Sequence, residues 1–156
     1  MEMTDLLTPD SVINGLRVTS KKQVLQDLSE RSAALTGLAG REVLDTMLAR
    51  ERLGTTGVGQ GIAIPHGRME SLDRIYGLFA RLSTPVDFES LDEQPVDLIF
   101  MLLAPDGAGA DHLKALAKIS RLLRDKSICT KLRGCDSSDA LYALLTEKVA
   151  ERQAVS

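Results

Sequence analysis

Two apolar runs, Ile75 to Leu82 and Val96 to Ala104, constrain this chain more than any other feature in it. Each is near-continuous and bounded by turn residues, the pattern of a β-strand covered on both faces. A sheet covered on both faces needs helices on each side, and the flanking sequence supplies them. Ser20 followed three residues later by Gln23 is a capping-box pattern, and Val24, Leu25, Leu28 and Leu35 then recur at helical spacing, which predicts a helix over 21–35. Thr36 to Gly40 breaks it, and Val43, Leu44, Met47 and Leu48 mark the inward face of a second helix ending near Leu53 and Gly54. Beyond the second apolar run, Leu113, Leu116, Ile119 and Leu123 define a third helix, 126–133 a short fourth, and Leu141, Leu144, Leu145 and Val149 a last one. The segment 6–18 reads as irregular with one short strand, and 151–156 is expected to fray. With no internal repeat and no linker-like stretch, the expected fold is α/β, a single domain over 1–156 with its core at about 6–149, built on a central β-sheet flanked by helices.

Composition excludes several function classes. The chain has 156 residues, long enough to bury about 68–70% of the surface it exposes when unfolded, so no metal or disulfide staple is required. Cys129 and Cys135 stand six apart, which suits neither a zinc ribbon nor a redox CxxC pair, and they read as buried or idle thiols in a reducing cytosol. The longest unbroken apolar stretch, Leu98 to Ala104, is less than half of the roughly 20 residues a membrane-spanning helix needs. Met1 to Thr8 carries Glu2 and Asp5 and lacks the basic start and apolar run of an export signal, so a cytoplasmic protein with no membrane insertion is expected. A formal net charge of -3, no Trp, two Tyr and three Phe leave neither the basic footprint nor the stacking platforms of a nucleic-acid binder.

Chemistry concentrates in one segment. Gly54-Thr-Thr-Gly-Val-Gly-Gln-Gly61 holds four glycines in eight residues and runs through Ile62-Ala63-Ile64 into Pro65-His66-Gly67-Arg68. Pro65 fixes the backbone before His66 and Gly67 permits a sharp turn after it, which sets an imidazole at a strand end. Gly57, Gly59 and Gly61 can bring backbone N–H groups close to an anion, and Arg50, Arg52 and Arg68 add positive charge nearby. The loop is not a dinucleotide fingerprint, because its spacing is wrong and it follows a helix and opens a strand. No Gly-Lys-Ser or Gly-Lys-Thr follows at P-loop spacing, so no nucleotide cofactor is expected. His112 shares a stripe with Leu116, Ile119 and Leu123 at offsets of four, seven and eleven and points inward from the first turn of its helix. Plainer readings fit the same residues: a turn histidine at 66, a hydrogen-bonded structural histidine at 112, an ordinary connection at 54–61 and solvated arginines. From 111 to 133, seven basic residues stand against two acidic ones, either a solvated helix face or a docking surface for an acidic partner. No ligand pair has zinc-like spacing, so no metal site is expected, and no serine sits in a nucleophile-elbow pattern.

The segment GTTGVGQGIAIPHGR resembles the active-site segment of the fructose/mannitol-type IIA proteins of the phosphoenolpyruvate-dependent sugar phosphotransferase system, and most of all their nitrogen-regulatory branch. The likeness extends in order through SKKQVLQDLSERSA, LTGLAGREVLDTMLARERLG, DFESLDEQPVDLIFMLLAP and DHLKALAKISRLLRDKSI, over about residues 6–145. It implies a mixed central sheet, His66 as the residue phosphorylated through Nε2, His112 as a second active-site histidine and Arg50 as the arginine holding the phosphoryl group. It gives Arg52 and Arg68 no firm role. The implied donor is a phosphorylated HPr-type carrier, itself charged from phosphoenolpyruvate by an enzyme I. The implied output is a phosphorylation state signalling to partners such as sensor kinases or potassium transporters in nitrogen, carbon or potassium metabolism, a stoichiometric phosphocarrier and not a turnover enzyme. Two alternatives stand beside it: a IIA component passing phosphate to a separate sugar-specific IIB protein, and a module that binds an anion without covalent chemistry.

Overall fold

The computed structural model describes residues 1–147. Val149 of the expected last helix and the expected frayed end lie outside the described residues. The elements in chain order are α1 (Met3–Leu6), a 3-10 turn (Pro9–Ser11), β1 (Val12–Leu16), α2 (Lys21–Thr36), α3 (Gly40–Arg52), β2 (Gly57–Gly59), β3 (Ile62–Ala63), β4 (His66–Met69), β5 (Tyr76–Val86), β6 (Val96–Pro105), α4 (Gly109–Arg124), α5 (Lys126–Arg133) and α6 (Ser138–Leu145). The strands form one mixed sheet in the order β1-β5-β6-β3-β2, with β4 also pairing β6. β5 runs antiparallel to β6, while β1 is parallel to β5 and both β3 and β4 are parallel to β6.

The two apolar runs are the central pair, and their side chains divide between two cores with the two-residue period of a strand. Phe79, Leu98, Phe100 and Leu102 face one way, into a cluster with Ala115, Ile119 and Leu123 of α4, Ile128 and Leu132 of α5 and Leu141 of α6. Leu78, Ala80, Ile99, Met101 and Leu103 face the other way, into a cluster with Val24, Leu25 and Leu28 of α2 and Val43 and Met47 of α3. Every residue from Leu98 to Ala104 is fully buried, as a strand sandwiched between helix layers must be.

Local signals mostly placed the helices well. The Ser20 hydroxyl accepts from the Gln23 backbone N–H, while the Gln23 side chain takes the N–H and hydroxyl of Thr19, one residue before the expected partner. The segment 6–18 is more ordered than expected: α1 closes at Leu6 and β1 is a full strand, whose apolar run is masked in sequence by Asn14 and by Gly15 at φ +73°. Leu113 of α4 is 64% exposed. It lies one residue, about 100°, around the helix from the buried His112, Ala115 and Ile119 stripe.

One close approach sets up the site. A Cβ at Gly67 would stand 2.8 Å from Thr46 Cγ2 and 2.9 Å from Met47 Cε, so α3 lies tightly against β4. That contact carries Arg50, three residues past Met47, up beside His66.

Candidate functional site

Strand β3 and strand β4 are one interrupted strand along the same edge of β6. Ile62 and Ala63 pair with Leu98 and Ile99, and pairing resumes at His66 opposite Leu102. Pro65 at the break has no N–H for the ladder, and its carbonyl accepts from Leu102 N at 2.9 Å. The Ile64 N–H donates to the Thr56 carbonyl at 3.0 Å. The Ile64 carbonyl is thereby left facing the half-buried ring of His66, whose Nδ1 lies 2.9 Å from it. A carbonyl only accepts, so Nδ1 carries the proton and Nε2 keeps its lone pair. The Arg50 Nε–H donates to that Nε2 at 3.4 Å, a long hydrogen bond consistent with the same tautomer.

His112 sits in the first turn of α4, its own N–H held by the Ala108 carbonyl at 2.8 Å. It is only 5% exposed and meets His66 edge to face, with ring centroids 5.8 Å apart and planes at 68°. The Arg68 Nε–H donates to His112 Nδ1 at 3.2 Å. His112 Nε2 is buried and has no hydrogen-bond partner among the described residues.

Both imidazoles are held below the ordinary histidine range. For His66 burial is the main cause, aided by the Arg50 charge and opposed by the Ile64 hydrogen bond and by Glu51. For His112 burial again leads, followed by His66 and the Arg68 guanidinium. Glu51 is occupied elsewhere: Lys21 Nζ stands 2.9 Å from it, and the Thr56 N–H and hydroxyl donate to it at 3.1 and 2.6 Å. Arg50 also donates from Nη1 to the Gly54 carbonyl at 2.8 Å. Neither Arg50 nor Arg68 has a carboxylate partner among the described residues. Two unpaired guanidinium groups beside two neutral imidazoles make a site that attracts an anion and offers it a nitrogen lone pair.

Of the residues singled out in the sequence, the fold brings His66, His112, Arg50 and Arg68 together. Arg52 is exposed at the end of α3. The three glycines turn toward other partners. Gly57 lies under Ser90, which a Cβ would meet at 2.4 Å from Oγ, and its N–H donates to the Thr55 hydroxyl. Gly59, at φ +106°, packs on Asp92, and Gly61, at φ +81°, packs on Arg133 and Asp97. They shape the β2–β3 hairpin, with Gly61 opposite Asp97 and Leu98 at the far end of the interrupted strand from His66. Arg68 had a legible signal: two residues after His66 in a strand, it lies on the same face.

The two thiols have no redox partner: Cys129 is buried with Sγ toward the Leu123 carbonyl, Cys135 is half-buried toward the Lys131 carbonyl, and desolvation pushes both up from their usual range. No helix of the described residues is long and apolar enough to cross a membrane.

A pH test follows from the histidines. Their pKa values in the fold lie below the unfolded value near 6.5, so the unfolded chain binds protons first on acidification. The stability due to their neutral state is fully present above about pH 6.5 and is lost as pH falls toward the folded values. The urea midpoint is expected to fall between pH 7.5 and 5.5, and to fall less in the His66→Gln/His112→Gln double variant. An equal fall in both proteins would mean that these rings are not what the fold holds neutral.

Residues 5–148 match the family described as phosphoenolpyruvate-dependent sugar phosphotransferase system, EIIA 2. The nitrogen regulatory protein of Bradyrhizobium diazoefficiens is 57% identical over 145 residues, spanning 93% of this chain and 95% of that protein. The crystal structure of nitrogen regulatory protein IIA-Ntr from Neisseria meningitidis superposes with a TM-score of 0.87 at 35% identity, covering 92% of this chain and 98% of that one. Enzyme IIAMTL of Escherichia coli, solved in complex with phosphorylated enzyme IIBMTL, shares the fold with a TM-score of 0.75 at 22% identity, over 89% of this chain and 96% of that one.

Proposed function

Because the chain belongs to the EIIA 2 family of the phosphoenolpyruvate-dependent sugar phosphotransferase system, and to its nitrogen-regulatory branch, we propose that it is a phosphocarrier whose phosphorylation at His66 is read by other proteins. The observation that carries this reading is the His66 tautomer. With the proton on Nδ1 and held by the Ile64 carbonyl, Nε2 is a neutral nucleophile that needs no separate base. Its lone pair attacks phosphorus on the phosphohistidine of an HPr-type donor. The N–P bond of the donor breaks, and that electron pair returns to the donor imidazole. No proton need move on His66, and the Nδ1–H stays on the carbonyl to support the positive charge the ring gains.

Phosphoryl transfer of this kind depends on positioning and on stabilising charge at the equatorial oxygens. Arg50 swings from Nε2 to those oxygens as the group arrives, and His112 flanks it. The donor supplies an already activated group, so the chemistry requires no nucleotide. The phosphoryl oxygens carry roughly -2 against the +1 on the ring, a net gain of about -1 on a chain of formal charge -3, concentrated where a partner surface can sense it. In this reading the targets are regulatory proteins such as sensor kinases or potassium transporters, met in the cytoplasm where the donor operates.

The test is intact-protein mass after incubation with phosphoenolpyruvate, enzyme I and an HPr-type carrier. One acid-labile phosphoryl group is expected. No gain from a donor shown to be active overturns the proposal and leaves non-covalent anion binding as the reading. Efficient onward transfer to a purified IIB protein would replace signalling with a role in sugar uptake.

A further inference from the structure

The buried Nε2 of His112 is a polar atom without a partner, and such atoms in a folded core call for an explanation. The explanation starts at the other ring nitrogen. A guanidinium only donates, so Nδ1, 3.2 Å from Arg68 Nε, accepts and is unprotonated. The neutral ring then has its proton on Nε2. An imidazolium here would set two N–H groups head to head and put a second cation against the guanidinium, so Arg68 selects both the charge state and the tautomer. Burial and the neighbouring charges press the same way.

We propose that Arg68 is a positioning residue that fixes His112 as a neutral Nε2–H donor, kept without an acceptor in the resting protein so that it can hydrogen-bond an oxygen of the phosphoryl group on His66. The two rings are close enough for this, edge to face at 5.8 Å between centroids. His112 keeps its proton throughout and acts as a hydrogen-bond donor, not as an acid. The inference rests on the phosphocarrier reading and assigns a role to a side chain that the family resemblance leaves open. It also divides the two arginines. Arg50 touches the nucleophile itself, while Arg68 acts through the second ring.

Two measurements test it, on wild type, Arg68→Ala and Arg68→Met, the last retaining the aliphatic stem in case alanine disturbs the strand. Long-range proton–nitrogen NMR of the His112 ring is expected to show Nε2 protonated and Nδ1 bare in wild type, and a shift toward Nδ1–H or the imidazolium in both variants. Single-turnover phosphoryl transfer is expected to slow on the order of tenfold in either variant, less than the 10²–10³ that follows outright loss of a preorganised donor. Adding either change to His112→Ala is expected to slow that protein no further, and Arg68→Lys, which keeps a charged donor, to restore most of the rate. An unchanged tautomer in the variants, or rate losses at 68 and 112 that multiply, would overturn the proposal and assign Arg68 to the phosphoryl group or the donor directly. Failure of the phosphocarrier reading looks different: wild type takes no phosphoryl group at all, whatever its tautomer, and the proposal falls with it.

Discussion

In the phosphorylation assay, His66→Ala is expected to gain no phosphoryl group, while His112→Ala and Arg50→Ala are expected still to be modified, each on the order of 10²-fold more slowly. The contrast separates a nucleophile from groups that stabilise charge. In the proposed reading His66 is the better placed of the two: its ring is half-buried and its Nε2 takes only a long 3.4 Å hydrogen bond from Arg50, whereas His112 is 5% exposed and its Nδ1 takes a shorter one from Arg68. Losing the nucleophile removes the bond-forming atom, and no neighbour replaces it. Losing a donor leaves the reaction possible but poorly stabilised. Phosphate retained on the alanine variant would sink the assignment of His66, and modification mapped to His112 would exchange the two roles.

The second large effect is structural. Phe100→Ala is expected to lower the free energy of unfolding by about 3–5 kcal/mol, a large share of the 5–15 kcal/mol typical of a domain. Phe100 is fully buried in β6, stacked edge to face on Phe79 with centroids 6.2 Å apart. Its ring also covers Gly77 of β5, where a Cβ would come within 2.9 Å of Phe100 Cε1 and 3.1 Å of the Leu6 carbonyl oxygen. Removing the ring opens a void between the central strands and the helix layer, with a glycine on one side that has nothing to fill it. Urea denaturation should show the midpoint fall with an unchanged slope. A loss below about 1 kcal/mol would mean that the layer closes over the void and that this ring is not a keystone of the core.

What was legible in the sequence had local causes. The two central strands announce themselves because burial on both faces demands unbroken apolar runs, and α2 announces itself because Ser20 caps it. His112 was placed inward by helical arithmetic alone, and it is buried. Where the sequence is silent, the deciding partner lies far along the chain. The space that the missing side chains of the glycines at 57, 59 and 61 leave is taken by Ser90, Asp92, Asp97 and Arg133, neighbours the local pattern does not reveal. Arg68 looked like a solvated charge because its partner is 44 residues away on α4.

The break between Ile64 and His66 has one more consequence, for how the protein tolerates mutation. The group that orients the His66 ring is a peptide carbonyl, and every amino acid carries one. No codon change at position 64 can delete that acceptor; only a change in the path of the chain can. The second ring is oriented by a guanidinium, which one nucleotide substitution can remove. The orientation of His66 is thus insured by the backbone, whereas that of His112 is exposed to drift; under the proposed function, the pace of phosphoryl transfer could change over generations without the transfer itself being lost.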